Sequence, residues 1–403
     1  MEVLVQKFGG TSVASYEKMK EVCKIIEAHK EKYKNIAVVV SAMGRKGAPY
    51  ATDTLISMCT NINDRPTKRE LDMIMSCGEI ISGTILATML DSMGIPATFL
   101  TGTQAGIITT KAFSNAKIKK INPKKIQREL ADGKVVIIAG FQGGTEDGEI
   151  TTLGRGGSDT SAVAIGKALG SDLVQIYTDV DGIYFTDPRK YSQAKKLKEI
   201  EYEEMLELAS LGAQVMHSRS VELAQKYNIE LYVGLSCSDI EGTYIRGSKD
   251  MKLEDKVITG LATCDNDAAI TIVDIKIEDV SKLFEQVAIN GVSVDMISQT
   301  APKDGKVNVS FTIAKDDLNE CESVVEKFVS KENIIVDEDI TKFSLVGLGM
   351  KHTSGVAAKV FKIFSDNNIA VKLITTSEIR ITCAISSDDK NVAIREVAKE
   401  FNI

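Results

Sequence analysis

Along the first 180 residues, short and nearly unbroken apolar runs alternate with longer segments whose apolar positions recur three or four apart. The runs at Val3-Leu-Val, Ile36-Ala-Val-Val-Val-Ser41, residues 95–100, Val135-Val-Ile-Ile-Ala-Gly140 and Leu173-Val-Gln-Ile-Tyr177 have the length and β-branched content of buried strands. Met19, Val22, Cys23 and Ile26 mark a helix that begins near Ser15. The same spacing predicts helices from about Thr54, over 67–93, and over about 160–169. Strands alternating with helices predict an α/β domain, a mainly parallel sheet sandwiched by helices. In such sheets ligands sit beyond the carboxyl ends of the strands. The polar and Gly-rich turns fall at those ends: Lys7-Phe-Gly-Gly10, Ser41-Ala-Met-Gly44, Gly140-Phe-Gln-Gly-Gly144 and Thr178-Asp-Val-Asp-Gly182. Four of them on one rim predict a site there.

The pattern changes near Gly242-Thr-Tyr-Ile-Arg-Gly-Ser248, beyond which such turns stop. Residues 269–275, 280–290, 295–299, 307–313 and 318–329 read strand, helix, strand, strand, helix. Residues 343–348, 355–367, 371–375, 378–385 and 393–401 repeat that order, with similar central phrases at 288–298 and 366–375. This is an internal repeat of roughly 65–70 residues in the split βαβ, ferredoxin-like pattern. Two generic α+β modules joined for stability is the plainer alternative. The expected division is 1–245, 246–335 and 336–403.

The opening stretch, Val3-Leu-Val-Gln-Lys-Phe-Gly-Gly-Thr-Ser12, combines a strand, a Gly-rich turn and a helix start. Glycines admit close backbone approach, N–H groups face an anion, and Lys7 adds positive charge, so the stretch suits phosphate. It is not a Walker A motif, whose lysine follows the glycines. A tight turn capped by Thr11 or Ser12 is the structural alternative. Gly154-Arg-Gly-Gly-Ser-Asp159 sets a guanidinium and a carboxylate at a helix start. Arg155 can hold a carboxylate bidentately and Asp159 can face an ammonium, which together suit an amino acid. A capped helix with Arg155 in a surface ion pair fits the same residues. Glu79 stands in an otherwise apolar helical stretch, as a capped, partly buried carboxylate or a functional one. The stretch from Thr178 to Arg189 is dense in turn formers, with Tyr184 available to a nucleoside; by spacing alone it is an acidic loop.

At 403 residues the chain is long enough for two or three domains and needs no disulfide or metal staple. With a net charge of −7 and no basic stripe interleaved with aromatics, nothing points to nucleic acid. Lys195-Lys196-Leu-Lys198 reads as a solvated run, followed by Glu199, Glu201, Glu203 and Glu204. The seven cysteines are scattered without a CxxC pair, which argues against a zinc site or a disulfide framework and for a reducing compartment. No signal peptide and no apolar stretch of membrane-spanning length is read, so the expected location is cytoplasmic.

The motifs Lys7-Phe-Gly-Gly-Thr-Ser12, Ser41-Ala-Met-Gly44, Gly154–Asp159 and Thr178-Asp-Val-Asp-Gly-Ile-Tyr-Phe-Thr-Asp-Pro-Arg189 together resemble the signatures of the aspartate kinases. These belong to the amino-acid kinase superfamily. The resemblance covers essentially the whole chain and identifies the repeat with two C-terminal ACT units. It implies transfer of the ATP γ-phosphoryl group to the side-chain carboxylate of L-aspartate, giving 4-phospho-L-aspartate. That is the first step of lysine, threonine and methionine biosynthesis.

Carried over residue by residue, the resemblance makes Lys7, Glu79, Arg155 and Asp159 the catalytic set. Ser41, Thr52, Gly156 and Ser158 join Glu79, Arg155 and Asp159 around the amino-acid substrate. ATP falls to Lys7, Gly9, Gly10, Thr178, Asp179, Asp181, Tyr184, Asp187 and Arg189, with Gly9 and Gly10 offering backbone N–H donors. Mg²⁺ is expected on the phosphates with few or no protein ligands. Gln214 stands where many members carry a nucleotide-contacting lysine, and Gly349-Met-Lys-His-Thr-Ser-Gly355 lacks a proline common there. His217 and His352 read as structural.

The ACT units imply lysine or threonine, or both, as feedback effectors. The positions to examine are Asp295, Met296, Ser298 and Gln299 in the first unit and Ser354, Val371 and Glu378 in the second. The family arrangement also implies a homodimer, or dimer of dimers, formed through the ACT units, and an extra strand for the second unit from residues 257–263. Two other readings compete: another amino-acid kinase, acting on glutamate, acetylglutamate or a nucleotide, and a catalytically silent amino-acid sensor. The complete Lys7, Glu79, Arg155 and Asp159 set argues against the sensor.

Overall fold

A computed structural model describes residues 2–212, 215–236, 238, 240–247 and 257–403. The chain forms two compact units. The first comprises Met1–Ile183, Lys196–Ala209 and Gln214–Asp250, and the second Tyr184–Lys195, Ser210–Ala213 and Met251–Ile403.

The first unit runs β1 (Val3–Phe8), α1 (Tyr16–Lys30), β2 (Asn35–Val40), α2 (Thr52–Thr60), α3 (Lys68–Ser92), β3 (Ala97–Leu100), β4 (Ile107–Thr109) and β5 (Ile118–Ile121). It continues through α4 (Lys124–Ala131), β6 (Val135–Ala139), β7 (Gln142–Gly144), β8 (Ile150–Thr152), α5 (Gly157–Leu169) and β9 (Leu173–Thr178). It closes with β10 (Glu199–Glu201), α6 (Tyr202–Ser210), α7 (Ser218–Tyr227), β11 (Glu230–Leu235) and β12 (Thr243–Arg246). An eight-stranded sheet has the order β10-β12-β11-β9-β1-β2-β6-β3. From β11 to β3 every pairing is parallel. β12 turns antiparallel against β11.

All six residues of β1, β2 and the five of β6 are buried, as central strands covered on both faces must be. The polar Gln6 inside β1 donates its Nε2 to Gln175 Oε1 at 2.9 Å on neighbouring β9, and its own Oε1 is left without a partner among the described residues. Helix α1 starts where Ser15 Oγ accepts the Lys18 N–H, and it buries Met19, Val22, Cys23 and Ile26. These pack with Leu4, Phe8, Ile36, Val38, Leu86 and Leu90 in one core. Each such fully buried aliphatic side chain stabilises the fold by roughly 1.5–3 kcal/mol.

Helix α3, at 25 residues, is long and apolar enough by length and composition to cross a membrane, contrary to the expectation that no stretch is. Its residues show why length and composition alone mislead here. The stripe Asp72, Met75, Ser76, Glu79, Ser82, Leu86 and Leu90 is buried, and it contains two carboxylates. Such a helix fits a protein interior that supplies hydrogen bonds, not lipid.

A second sheet, β5-β4-β7-β8, stands apart from the large one. It is absent from the sequence reading because its strands are only three or four residues long and partly polar.

The second unit contains β13 (Gly260–Cys264), β14 (Asp267–Lys276), α8 (Ile277–Ile289), β15 (Val294–Gln299), β16 (Lys306–Ala314), α9 (Leu318–Val325) and β17 (Ile334–Asp337). There follow β18 (Thr341–Val346), α10 (Val356–Asp366), β19 (Leu373–Thr376), β20 (Arg380–Ile385) and α11 (Lys390–Glu400). These make two four-stranded antiparallel sheets, β15-β16-β14-β17 and β13-β18-β20-β19. Each repeat has its own core, around Phe311 and Leu283 in the first and around Phe343 and Phe364 in the second. The fourth strands have different origins. β17 follows its repeat, whereas β13 lies before the first repeat and pairs with β18 of the second. Phe185 is buried in the second repeat's core, and its carbonyl accepts the Leu261 N–H at 2.7 Å.

Candidate active site

Lys7 sits near the carboxyl end of β1, only 8% exposed, and its Nζ lies 2.7 Å from Asp159 Oδ1. Asp159 is in the first turn of α5, so the strand-end ammonium meets a carboxylate at a helix N-terminus. The Gly9 N–H donates to the Tyr177 carbonyl at 3.0 Å and thereby closes the turn, so it is not the open phosphate donor expected from the sequence. At Gly10 a Cβ would come within 2.7 Å of the Ala42 and Gly44 carbonyl oxygens, a contact that only glycine avoids.

Beyond β2, Ser41 donates its N–H to Phe8 O at 3.2 Å and accepts the Ser82 hydroxyl at 2.7 Å. The next residue, Ala42, donates its N–H to Glu79 Oε1 at 3.0 Å. Glu79 is 2% exposed, and its second oxygen, Oε2, has no hydrogen-bond partner among the described residues. Burial pushes this carboxyl up from its ordinary 4.5 to about 8, against the pull of the backbone N–H bonds. A half-satisfied buried carboxylate has room for a cation. Thr52 opens α2, whose preceding Ala51 makes no side-chain cap.

Arg155 stands between Gly154 and Gly156, which have φ of 77° and 66°. At Gly156 a Cβ would also sit 2.3 Å from His217 Cβ, so both backbone angle and space require glycine. Gly156 caps α5 without a side-chain bond, which lets the helix begin at Gly157, earlier than the periodicity predicts.

These elements enclose a cleft of about 600 Å³ within the first unit. It brings together Lys7, Gly10, Ser41, Thr52, Glu79, Arg155, Gly156, Ser158 and Asp159. Asp53, Met75, Ser114, Phe141 and Thr152 line it too, although the sequence reading assigned none of them. Phe141 lies within the rim turn Gly140-Phe-Gln-Gly-Gly144 that was legible. Ser114 carried no signal.

Gly9 and the nucleotide-motif residues Thr178, Asp179 and Asp181 are not in that lining. Thr178 ends β9 and donates its hydroxyl to Asp179 Oδ1, while Asp179 pairs with Arg45. Asp181 lies 3.3 Å from Lys196 Nζ. Tyr184, Asp187 and Arg189 belong to the second compact unit. There Arg189 donates Nε, Nη2 and its own N–H to Asp187, and this guanidinium holds the Asp187 carboxyl below its usual range. Gln214 lies outside the described residues.

Among the effector positions, Asp295 Oδ2 lies 2.9 Å from Lys342 Nζ, which also reaches Asp267 at 3.2 Å. Burial works against the Asp295 charge, yet the Lys342 ammonium outweighs it and keeps the carboxyl below its usual range. Met296 is buried with φ of 47°, at the bulge that breaks the β15–β16 register between Asp295 and Ser298. Ser298 and Gln299 are exposed on β15, and Ser354 is exposed before α10. Val371 is half-buried, and the exposed Glu378 lies 3.2 Å from Lys351. His217 caps α7 and accepts the Arg219 N–H. His352 ends a single 3₁₀ turn.

Comparisons with known proteins agree with this architecture. The Amino acid kinase family matches residues 2–234 and the ACT domain residues 343–401. The aspartokinase of Geobacillus stearothermophilus is 41% identical over 405 residues, covering 100% of this chain and 98% of that protein. That of Corynebacterium glutamicum is 39% identical over 412 residues, covering 100% and 97%. The crystal structure of aspartate kinase from Synechocystis is 38% identical, with a TM-score of 0.55 over 100% of this chain and 69% of its own. Aspartokinase III of E. coli, at 23% identity and a TM-score of 0.79 over all of both chains, shares the fold. The chain belongs to the aspartokinase family of amino acid kinases.

Proposed function

We infer that this chain is an ATP-dependent aspartate kinase that makes 4-phospho-L-aspartate, with its ACT repeat responding to lysine, threonine or both. One observation carries the reading: a single cleft gathers the Lys7–Asp159 pair, Arg155 and the half-satisfied Glu79. It offers a cation for each anionic end of the substrates and a carboxylate for an ammonium. The E. coli relative's structures contain aspartate with ADP in one case and lysine with aspartate in another, which supports both the substrates and the effector class.

The acceptor carboxylate is already an anion at neutral pH, so no general base is needed. Its oxygen attacks the γ-phosphorus, the bond to the β–γ bridging oxygen breaks, and ADP leaves with that electron pair. Catalysis is then positioning and charge neutralisation. Arg155 holds the α-carboxylate through its paired N–H groups. Glu79 loses its proton when the substrate ammonium arrives, because a facing cation stabilises the charged form. Lys7, held by Asp159 at 2.7 Å, neutralises charge on the transferred phosphoryl group. Ser41, Thr52, Gly156 and Ser158 shape the acceptor pocket. Gly10 lets the backbone approach the phosphates.

Mg²⁺ is expected to ride on phosphate oxygens and water, with few or no ligands from the chain. Bound there, Mg²⁺ would offset the charge of the β- and γ-phosphates. Gly9, Thr178, Asp179, Asp181, Tyr184, Asp187 and Arg189 are assigned to the nucleotide, and Asp295, Met296, Ser298, Gln299, Ser354, Val371 and Glu378 to the effector. We further assign residues 1–245 to catalysis, 246–335 to the first ACT unit with its linker, 336–403 completed by a strand from 257–263 to the second, and homo-oligomerisation to those units, in a cytoplasmic protein.

The test is ADP release from Mg-ATP and L-aspartate, with hydroxylamine trapping of the acyl phosphate, run with and without lysine and threonine. Turnover with aspartate but not glutamate, lost in Lys7→Ala, is expected. No turnover combined with tight lysine or threonine binding would overturn the kinase reading.

A further inference from the structure

Two charged side chains outside the cleft lining, the buried Asp72 and the half-buried Arg219, grip the wall that carries Arg155. Asp72, on α3, is fully buried. Its oxygens accept the Ser114 N–H at 3.0 Å, the Thr152 N–H at 2.8 Å, the Thr152 hydroxyl at 2.8 Å and the Ser114 hydroxyl at 3.2 Å. Both partners line the cleft. Ser114 is held at φ of 66°, a conformation that side chains other than glycine adopt only under constraint. From the other side, Arg219 on α7 donates Nη1 to the Leu153 carbonyl at 2.8 Å and Nη2 to the Ala116 carbonyl at 3.0 Å. Residues 114–116 and 152–153 are thus fixed at both flanks.

The chain runs directly from this fixed point into Gly154-Arg155-Gly156, where two glycines leave the turn little stiffness of its own. Asp72 lies on the same buried stripe of α3 as Glu79, seven residues or about two turns away. One rigid helix therefore carries Glu79 and anchors the strand that leads into Arg155.

We propose that Asp72, assisted by Arg219, is a positioning residue that sets where Arg155 stands relative to Glu79, and so governs capture of the acceptor amino acid but not of ATP. The proposal rests on the acceptor reading of the cleft. Asp72 itself touches no substrate. Truncating it leaves the buried Thr152 N–H and the half-buried Ser114 N–H without this partner and releases the wall. An asparagine in its place keeps the geometry: the amide oxygen accepts both N–H groups, and the amide nitrogen donates to the two hydroxyls, which can reverse their roles.

The experiment is steady-state kinetics of the full chain with each substrate varied, together with equilibrium binding of ATP. Asp72→Ala is expected to raise KM for aspartate about tenfold or more, with KM and binding for ATP within about twofold of wild type. Asp72→Asn should restore most of the loss. Arg219→Lys, which can reach only one of the two carbonyls, keeps the test available if Asp72→Ala does not fold. It should show a smaller shift in the same parameter alone. Equal shifts for both substrates, a lower melting temperature with unchanged constants, or an Asn variant as impaired as Ala would each overturn the proposal. Wild-type enzyme in the same assay separates the two levels. No aspartate turnover there would sink the acceptor reading, whereas turnover with matched shifts sinks only the positioning role.

Discussion

Asp72 and Glu79 share one face of one helix, yet they sit in opposite states. Asp72 is surrounded by four donors and holds the turn at Ser114 and the end of β8 in place. Glu79 receives one backbone N–H, keeps an oxygen without a partner, and has its carboxyl pushed up to about 8. Burial alone does not distinguish them, since both are almost fully covered. The difference lies in how far the surroundings complete each charge. A completed buried carboxylate stiffens the fold, and an incomplete one is a vacancy that a ligand cation can fill.

The sharpest way to break this contrast is to remove charges that act on substrate. Lys7→Ala should lower kcat by about 10³, read by ADP release, because it removes the cation facing the transferred group. Glu79→Ala should lower kcat/KM for aspartate by about 10², with ATP binding unchanged, as expected when a buried charge loses its partner. Next in size is a pH effect. Glu79 must lose its proton to meet the ammonium, so KM for aspartate should rise as pH falls below about 8. The slope approaches tenfold per unit and should vanish in Glu79→Gln.

Stability gives a quieter version of the same test. The folded-state value of Glu79 lies above its ordinary 4.5, so between about 4.5 and about 8 the folded chain holds a proton that the unfolded chain has lost. Stability from this group is complete below 4.5 and is lost as pH rises through 8. Urea titrations across that window should show a downward slope that Glu79→Gln flattens. The smallest effect belongs to the exposed pair of Arg189 with Asp187, where Arg189→Ala should change folding stability by about 0–1 kcal/mol. A larger loss there would blur the distinction between buried and solvated charge.

Much of this was legible in the sequence where the relevant physics is local. The apolar runs of β1, β2 and β6 and the stripe of α1 declare themselves within six to fifteen residues. So did Lys7, Glu79, Arg155 and Asp159, each an ionisable group in a Gly-rich turn or an apolar helix. What stayed hidden depends on distant partners. Gln142–Gly144 becomes a strand only because Ile107–Thr109 and Ile150–Thr152 lie beside it. Ser114 reaches the cleft because Asp72, 42 positions away, draws its N–H inward. Asp72 carried the same signal as Glu79, a carboxylate in an apolar helical stripe, and could have been found by it.

The strand Gly260–Cys264 bears on how the chain is made. The strand it pairs with begins at Thr341, about 80 residues later, so at 5–20 residues per second it waits roughly 4–16 s on the ribosome for its mate. The first repeat, whose four strands all lie between Asp267 and Asp337, can close in that interval. A fragment beginning at residue 336 would be born with one flank of its sheet bare, an invitation to stick to its own kind.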